Sequence, residues 1–522
     1  MVLVVDQMRA DYIDRFEGDW TRGLRRITRT GARFVNAAYP YLGTYTCAGH
    51  STIATGTLPY RHGNFQNTWY DRERKATVPC TDDAGADVVG YTGQPRAQVG
   101  PARLLEPTLA DLLREQREAR VVSLSLKARS AIMLAGHGGH AVTWLGDTPS
   151  GWQTSTPYSR TPNLAVQSFL DAHPMAADFR KVWRRLLPTP RYQHLDAAEG
   201  EHAVVGWERT FPHQLIGTGQ PDKDFRAQWE TSPLADAFLG AFAAHLAETE
   251  RLGRRGTTDV LLVSFSSPDA VGHRFGPRSH ETQDMYAHLD RTIGTLFDRL
   301  DRLVGRDRYV VALTSDHGVA EIPEQAVRRG EDAGRVLPPE LRRTVEGASR
   351  AALGAGPPSA LVASVNSNDI YFEPGVYARL QADPKALDRI VTAVAGHPGI
   401  ARVFRSEQLA SSVTADDPLL RAAALSYVHG RSGDLIVALK PGWISGTTPA
   451  THGTANAYDQ RVPLLLMGAG VTPGRYTEPT TPADIAPTLA ALCGVAMTRA
   501  EGRVLRTALT DAARGAPTAA AR

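Results

Sequence analysis

Short, unbroken apolar runs recur along the chain, and each leads to a polar residue. Val2-Leu3-Val4-Val5 ends at Asp6, and the run from Asp259 to Phe265 leads to Asp269. Tyr309 to Leu313 leads to Asp316, Arg120 to Leu124 leads to Lys127, and Val462 to Met467 closes the series. β-Branched runs that do not alternate with polar residues predict strands buried on both faces, as in parallel sheets. Helical patterns lie between them. Pro107–Glu118 sets Leu109, Leu112 and Leu113 on one face behind a proline at the first position. Glu281–Val304 spaces Tyr286, Leu289, Ile293, Leu296, Leu300 and Leu303 as an amphipathic helix does. Asp484–Cys493 ends at Gly494 and reads as another helix. The alternation predicts an α/β fold with a doubly wound, mostly parallel central sheet flanked by helices. In such folds ligands collect at the carboxyl ends of strands, where Asp6, Asp269 and Asp316 fall.

Two stretches break the alternation. Residues 145–235 are rich in Pro, Trp and Gln, and residues 325–450 mix charged, Gly/Pro and strand-like pieces. Both are read as insertions capping the active edge of a catalytic domain spanning residues 1–512. Residues 513–522 are read as a flexible tail.

Composition narrows the function classes. The chain has 522 residues, 42% hydrophobic and 22% charged, which excludes wholesale disorder. A formal charge of +3 is too balanced to indicate nucleic-acid duplex binding or a membrane surface. No apolar run is long enough to span a bilayer. Six of the 58 basic residues are lysine and the rest arginine, a coding bias that makes each lysine worth attention. Cys47, Cys80 and Cys493 are sparse and odd in number, which is no disulfide framework and no zinc-finger pattern. They leave the redox compartment open. No basic segment, long apolar segment or cleavage site precedes the first strand. The expectation is a cytoplasmic protein or a start placed downstream of a lost leader.

The first chemical constellation joins Asp6, Asp269-Ala-Val-Gly-His273, Asp316-His317-Gly318 and His452-Gly453. Three carboxylates and three imidazoles offer the mixed O/N ligation that suits Zn²⁺, and the set tolerates Mn²⁺ as well. Six such side chains and a hydroxyl are enough for a two-metal site. The second is Thr44-Tyr-Thr46-Cys-Ala-Gly-His50-Ser-Thr-Ile-Ala-Thr55-Gly56, read as a helix with a threonine N-cap and a glycine stop. A hydroxyl there sits in positive potential beside backbone N–H groups that suit a phosphoryl oxygen. A metal on that hydroxyl would make Thr46 a nucleophile. Cys47 is the rival, ranked below because a thiolate beside zinc tends to become a ligand. His50 and His62 are read as structural, and His137-Gly-Gly-His140 as loop histidines without a carboxylate partner. The third is Asn67-Thr-Trp69-Tyr-Asp71 with Lys127-Ala-Arg129. On a strand-like segment Lys127 and Arg129 would point the same way. An ammonium paired with a guanidinium matches a doubly charged phosphate monoester.

Taken in order, Asp6, Thr46, Asp269/His273, Asp316/His317 and His452 resemble the alkaline phosphatase superfamily. Thr46-Cys-Ala-Gly-His50, Asn67-Thr-Trp-Tyr-Asp71, Ser125-Leu-Lys127-Ala-Arg129 and His452-Gly-Thr with Tyr458-Asp459 and Val462-Pro463 resemble its bacterial phosphate-irrepressible members, which use a threonine nucleophile. The likeness runs from about residue 2 to residue 495. It implies two Zn²⁺ per chain, one held by Asp6, Asp316 and His317 and activating Thr46, the other held by Asp269, His273 and His452. It implies a phospho-threonine intermediate, with Asn67, Lys127 and Arg129 holding the nonbridging phosphoryl oxygens. Family members are exported, so the resemblance implies a periplasmic or secreted protein and a truncated gene start. The partners expected are small phosphate monoesters, with a monomer favoured.

The rival enzyme is a nucleotide pyrophosphatase or phosphodiesterase of the same superfamily, sharing the metals and Thr46. A diester carries less charge at phosphorus, so Lys127 and Arg129 favour monoesters. A sulfatase would need Pro and Arg after its modified Cys or Ser, and Cys47-Ala-Gly-His-Ser51 lacks both. The non-enzyme alternative is a degenerate relative that only binds phosphorylated ligands, which the intact ligand set disfavours.

Overall fold

The unbroken apolar runs form the middle of a ten-stranded sheet. From one edge to the other its strands are Gly474–Tyr476, Ala32–Phe34, Leu464–Gly468, Val310–Thr314, Val2–Val5, Val260–Phe265, Val121–Ser125, Ala141–Leu145, Trp152–Ser155 and Val88–Gly90. The computed structural model describes residues 1–93, 98–147, 151–354 and 360–514. The five strands from Val310–Thr314 to Ala141–Leu145 are mutually parallel, with Val2–Val5 at the centre of the chemistry. Leu464–Gly468 runs antiparallel to both neighbours. An apolar run reports burial on both faces and not strand direction, so this reversal carries no signature in the pattern.

Both faces of the sheet are covered. Leu3 and Val5 pack into one apolar cluster with Val263, Leu313 and helix residues such as Leu289 and Phe297. Val2 and Val4 face the other way, with Leu262, Leu464, Ile53 and Leu489. This is the doubly wound architecture expected. The expected helices appear as Leu109–Arg117, His280–Leu303 and Ile485–Cys493. Pro107 does not open the first of these. Thr108 is its N-cap, closed by a capping box with Asp111, so the proline lies ahead of the helix.

The stretch read as the second insertion contains a four-stranded antiparallel sheet of Val362–Asn366, Asp369–Phe372, Leu435–Leu439 and Ile400–Arg405. Helices Pro338–Leu353 and Pro384–Ala395 pack on it around their own apolar cluster. The stretch read as the first insertion contains helices Leu164–Ala172 and Lys223–Glu230 and a two-stranded piece, Val182–Trp183 with His213–Gln214. Trp183, Tyr192 and His213 anchor it to Asp284 and Glu281 of the long helix. Of the expected tail, residues 515–522 lie outside the described residues.

Candidate active site

Asp6, Asp269 and Asp316 emerge within one or a few residues of the carboxyl ends of three adjacent parallel strands. Side chains from distant parts of the chain therefore meet at one end of the sheet. His317 Nε2 lies 3.2 Å from Asp316 Oδ2 and 3.6 Å from Asp6 Oδ1. Asp269 and His273 lie one turn apart on the helix Ser267–Phe275, with His273 Nε2 3.1 Å from Asp269 Oδ1. His452 Nε2 stands 3.9 Å from the same oxygen. Two groups of donor atoms result, Asp269 with His273 and His452, and Asp6 with Asp269 and His317. Asp269 belongs to both.

The donor chemistry fits divalent metals. Each imidazole gives its Nδ1–H to a backbone carbonyl: His273 to Ala450 at 2.7 Å, His452 to Thr44 at 2.7 Å, His317 to Gly318 at 3.0 Å. That fixes each Nδ1 as a donor and turns every Nε2 toward the carboxylates. Burial pushes His317 below the usual histidine pKa, and it pushes His452 well below, helped by His317 and His273. Asp6 Oδ1 and Asp316 Oδ2 are buried and accept no hydrogen bond. Buried carboxylate oxygens without donors are costly unless a cation faces them.

Thr46 is the first residue of helix Thr46–Thr55, and its Oγ1 is 3.4 Å from His317 Nε2. The N-cap is Tyr45 and makes no side-chain cap, so the expected threonine cap is absent; Gly56 ends the helix in the left-handed region as expected. Gly49 explains how close the helix comes. A Cβ there would fall 2.2 Å from the Asp316 carbonyl oxygen. Asn67 Oδ1 accepts the Cys47 N–H at 2.9 Å, which orients that amide beside Thr46 and occupies one helix N-terminal donor.

Cys47 is not a free thiol. It forms a disulfide with Cys80, which corrects the reading of the three cysteines as no disulfide framework and removes the rival nucleophile. Cys80 also gives its N–H to the Asn67 carbonyl at 2.9 Å. The bond, that hydrogen bond and the Asn67 amide together tie the start of the Thr46 helix to the hairpin Thr68–Asp71/Ala76–Pro79. Replacing Cys47 and Cys80 together by serine is expected to cost about 3–4 kcal/mol, the loop-closure value for a tether of this span. Denaturant unfolding checks it, and an unchanged midpoint would mean that packing alone holds the junction.

Lys127 and Arg129 are not on a strand. Lys127 is the N-cap of helix Ala128–Ala135, and Arg129 lies in its first turn. The Lys127 ammonium bridges Asp6 Oδ2 at 2.6 Å and Asp269 Oδ2 at 2.5 Å. Burial works against its charge, but Asp269 and Asp6 outweigh it and hold its pKa above the ordinary lysine value, against repulsion from Arg129. Burial and the neighbouring Asp269 and Asp316 push Asp6 well up, whereas His273 and Lys127 overcome burial and hold Asp269 well down.

His50 and His62 are structural, as expected. His50 is fully buried between the Thr46 carbonyl, at 2.9 Å, and Ser264 Oγ, at 2.8 Å, with Asp316 Oδ2 3.4 Å away. His62 pairs with Thr52 and is pushed down to about 3 by burial. His137 does have a carboxylate partner, Asp111 at 2.9 Å, away from the site. The sequence reading missed three contributors. Asn368 gives its amide N–H to the Gly453 carbonyl at 2.7 Å, beside His452. Asp369 accepts from Gln66, next to Asn67, at 2.5 Å. Gln7 touches two of the three carboxylates. None of these is flagged by a motif, since each acts through a contact made only in the fold.

This sheet, with carboxylates and imidazoles gathered at the ends of its parallel strands, defines an enzyme of the alkaline phosphatase superfamily. Residues 1–460 match the family described as type I phosphodiesterase / nucleotide pyrophosphatase, and the chain belongs to it. Alkaline phosphatase PafA of Elizabethkingia meningoseptica is 31% identical over 508 residues, 94% of this chain and 90% of its own. Alkaline phosphatase PhoV of Synechococcus elongatus is 30% identical over 501 residues, 94% of this chain and 88% of its own. A crystal structure of wild-type PafA superposes with a TM-score of 0.88 over 98% of each chain, at 29% identity. No helix among the described residues is long and apolar enough to cross a membrane.

Proposed function

We propose that the chain hydrolyses phosphate monoesters through a phospho-threonine intermediate at a centre of two divalent metals, zinc being the ion this mixed donor set favours. The observation that carries the reading is the Thr46 hydroxyl, at a helix start and 3.4 Å from His317 Nε2, beside two groups of metal-ligand donors. Asp6, Asp316 and His317 would hold one ion and Asp269, His273 and His452 the other, with the Asp269 carboxylate also within reach of the first ion through its place beside Asp6 and His317. Bound there, the ions supply Lewis acidity that lowers the hydroxyl pKa, neutralises the leaving oxygen and activates water.

Thr46 Oγ gives its proton to solvent and bonds to phosphorus as the bond to the leaving oxygen breaks, and the alcohol departs with a proton from solvent. Water then attacks phosphorus as the bond to Oγ breaks, a proton from the water restores the Thr46 hydroxyl, and phosphate leaves. Asn67, its carbonyl oxygen fixed on Cys47 N–H, presents its NH₂ group. With Lys127 and Arg129 it holds the nonbridging oxygens, so positioning and charge do most of the work. A further crystal structure is of a PafA variant with one threonine, one asparagine, one lysine and one arginine replaced together. The threonine–asparagine and lysine–arginine spacings in that set equal those of Thr46/Asn67 and Lys127/Arg129, which supports assigning the four residues to one site. The Cys47–Cys80 disulfide supports an oxidising compartment, periplasmic or extracellular.

The family description favours a second reading, a phosphodiesterase. Hydrolysis of p-nitrophenyl phosphate beside bis-p-nitrophenyl phosphate by the zinc-loaded protein separates the two. Monoester preference is expected, and diester preference would move the chain to the other branch. Replacing both Lys127 and Arg129 by alanine is expected to cut monoester kcat/KM about 100-fold more than diester kcat/KM, the difference of roughly one lost charge-assisted contact. Equal losses would make the pair structural.

A further inference from the structure

Among the described non-glycine residues with positive φ, Gln7 is the buried one, 2% exposed at φ 70. The others, Lys75, Glu118, Arg180, Arg251 and Ser367, are exposed or half-buried. An L side chain in this region is strained, and buried strain persists only where surrounding contacts over-determine it. Those contacts converge on the candidate metal centre. Gln7 follows Asp6 directly. Its backbone N–H donates to Asp316 Oδ1 at 3.2 Å, and its side-chain amide donates to Asp269 Oδ1 at 2.6 Å. The next residue is pinned as well, Met8 N–H donating to Ser315 Oγ at 2.8 Å.

The left-handed turn is what allows this. In a continuing strand, residue 7 would point to the face opposite Asp6. Turned instead, it reaches both other carboxylates. The neighbouring helix is shaped to receive it. Gly272 lies between Asp269 and His273 in sequence, and a Cβ on it would fall 1.8 Å from Gln7 Oε1. Gln7 therefore lies across the helix that presents Asp269 and His273, in the space a side chain at 272 would fill.

We propose that Gln7 is the positioning residue of this centre, a neutral amide that fixes the carboxylate shared by both donor groups, with Gly272 as the gap that admits it. The proposal rests on the two-metal reading above. Its neutrality matters. An amide donates to Asp269 without adding a fourth negative charge beside Asp6, Asp269 and Asp316, where it would oppose an incoming phosphate.

Two variants test it by independent routes. Gln7→Gly removes the amide and relieves the backbone. Gly272→Ala keeps the amide and displaces it, while favouring the helix. Zinc affinity is read by competition with a chromophoric chelator, and kcat and KM with p-nitrophenyl phosphate, for both variants, their combination and the unaltered protein. Each single variant is expected to bind zinc about 10–100-fold more weakly, as loss of a ligand-orienting partner does. kcat should fall more than KM rises. The combination should be no worse than Gln7→Gly, because both remove one interaction. The metal-free melting temperature of Gln7→Gly should change little, because relief of the left-handed backbone offsets the lost hydrogen bond. Zinc affinity within twofold of the unaltered protein in both single variants would overturn the role of Gln7. So would a combined loss equal to the product of the two. Failure of the unaltered protein to bind zinc would instead overturn the two-metal reading itself.

Discussion

Thr46→Ala is expected to lower monoester turnover by about four orders of magnitude or more, equivalent to roughly 5.5 kcal/mol of lost transition-state stabilisation. Removing a covalent nucleophile has effects of that order because the two-step route disappears with it. The substitution is well suited to the question. Thr46 is 1% exposed, so the hydroxyl is inside the site and not in solvent. Alanine is a better helix former than threonine, so the first turn of Thr46–Thr55 should persist. The carboxylates and imidazoles of both donor groups are untouched, and zinc binding should remain close to that of the unaltered protein. Thr46→Ser keeps the hydroxyl and should retain most of the turnover. The measurement is kcat with p-nitrophenyl phosphate, with zinc content determined on the same samples. Alanine activity above about one hundredth of the unaltered rate, with zinc in place, would remove Thr46 from the nucleophile's role.

Much of this arrangement is legible in the sequence because the relevant signals are local. A β-branched run followed by a lone aspartate marks a buried strand and its carboxyl end at once. Three such runs carry Asp6, Asp269 and Asp316, and their strands prove adjacent. The Thr46–Thr55 helix is legible for the same reason, its glycine stop lying within the segment itself. What escaped depends on contacts between distant segments. Three cysteines without regular spacing give no pairing. Cys47 and Cys80 join because the Asn67 hairpin folds back on the helix start, a tertiary event. Lys127 reads in the sequence as half of a phosphate clamp, and nothing there shows that its ammonium also spans two carboxylates brought together by separate strands. Gln7 gave no cue at all, since glutamine is an unusual residue for a left-handed turn and its contacts with Asp269 and Asp316, made only in the fold, explain the choice. The stretch read as the second insertion supplies Asn368 and Asp369, which buttress the His452 loop and the Asn67 hairpin.

Asp269→Asn is expected to weaken both proposed metal sites together, whereas His273→Ala should weaken one. The two predictions differ because Asp269 belongs to both donor groups and His273 to one. Asparagine preserves volume and can still face Gln7 and His273 as a neutral group, so the helix Ser267–Phe275 should stay in place. What disappears is the negative charge, and with it the attraction for a cation in a site removed from water. Asp269 also balances the Lys127 ammonium, at 2.5 Å. In the variant Lys127 rests on Asp6 alone, drawing that carboxylate away from the group it forms with His317 as well. Turnover should fall by at least about a thousandfold, since several kcal/mol of transition-state charge stabilisation is lost. Zinc titration should show both equivalents weakened, while His273→Ala should leave one near its original affinity. If Asp269→Asn loosens one equivalent and leaves the other unchanged, the carboxylate is not shared. The site would then work as two independent ion pockets.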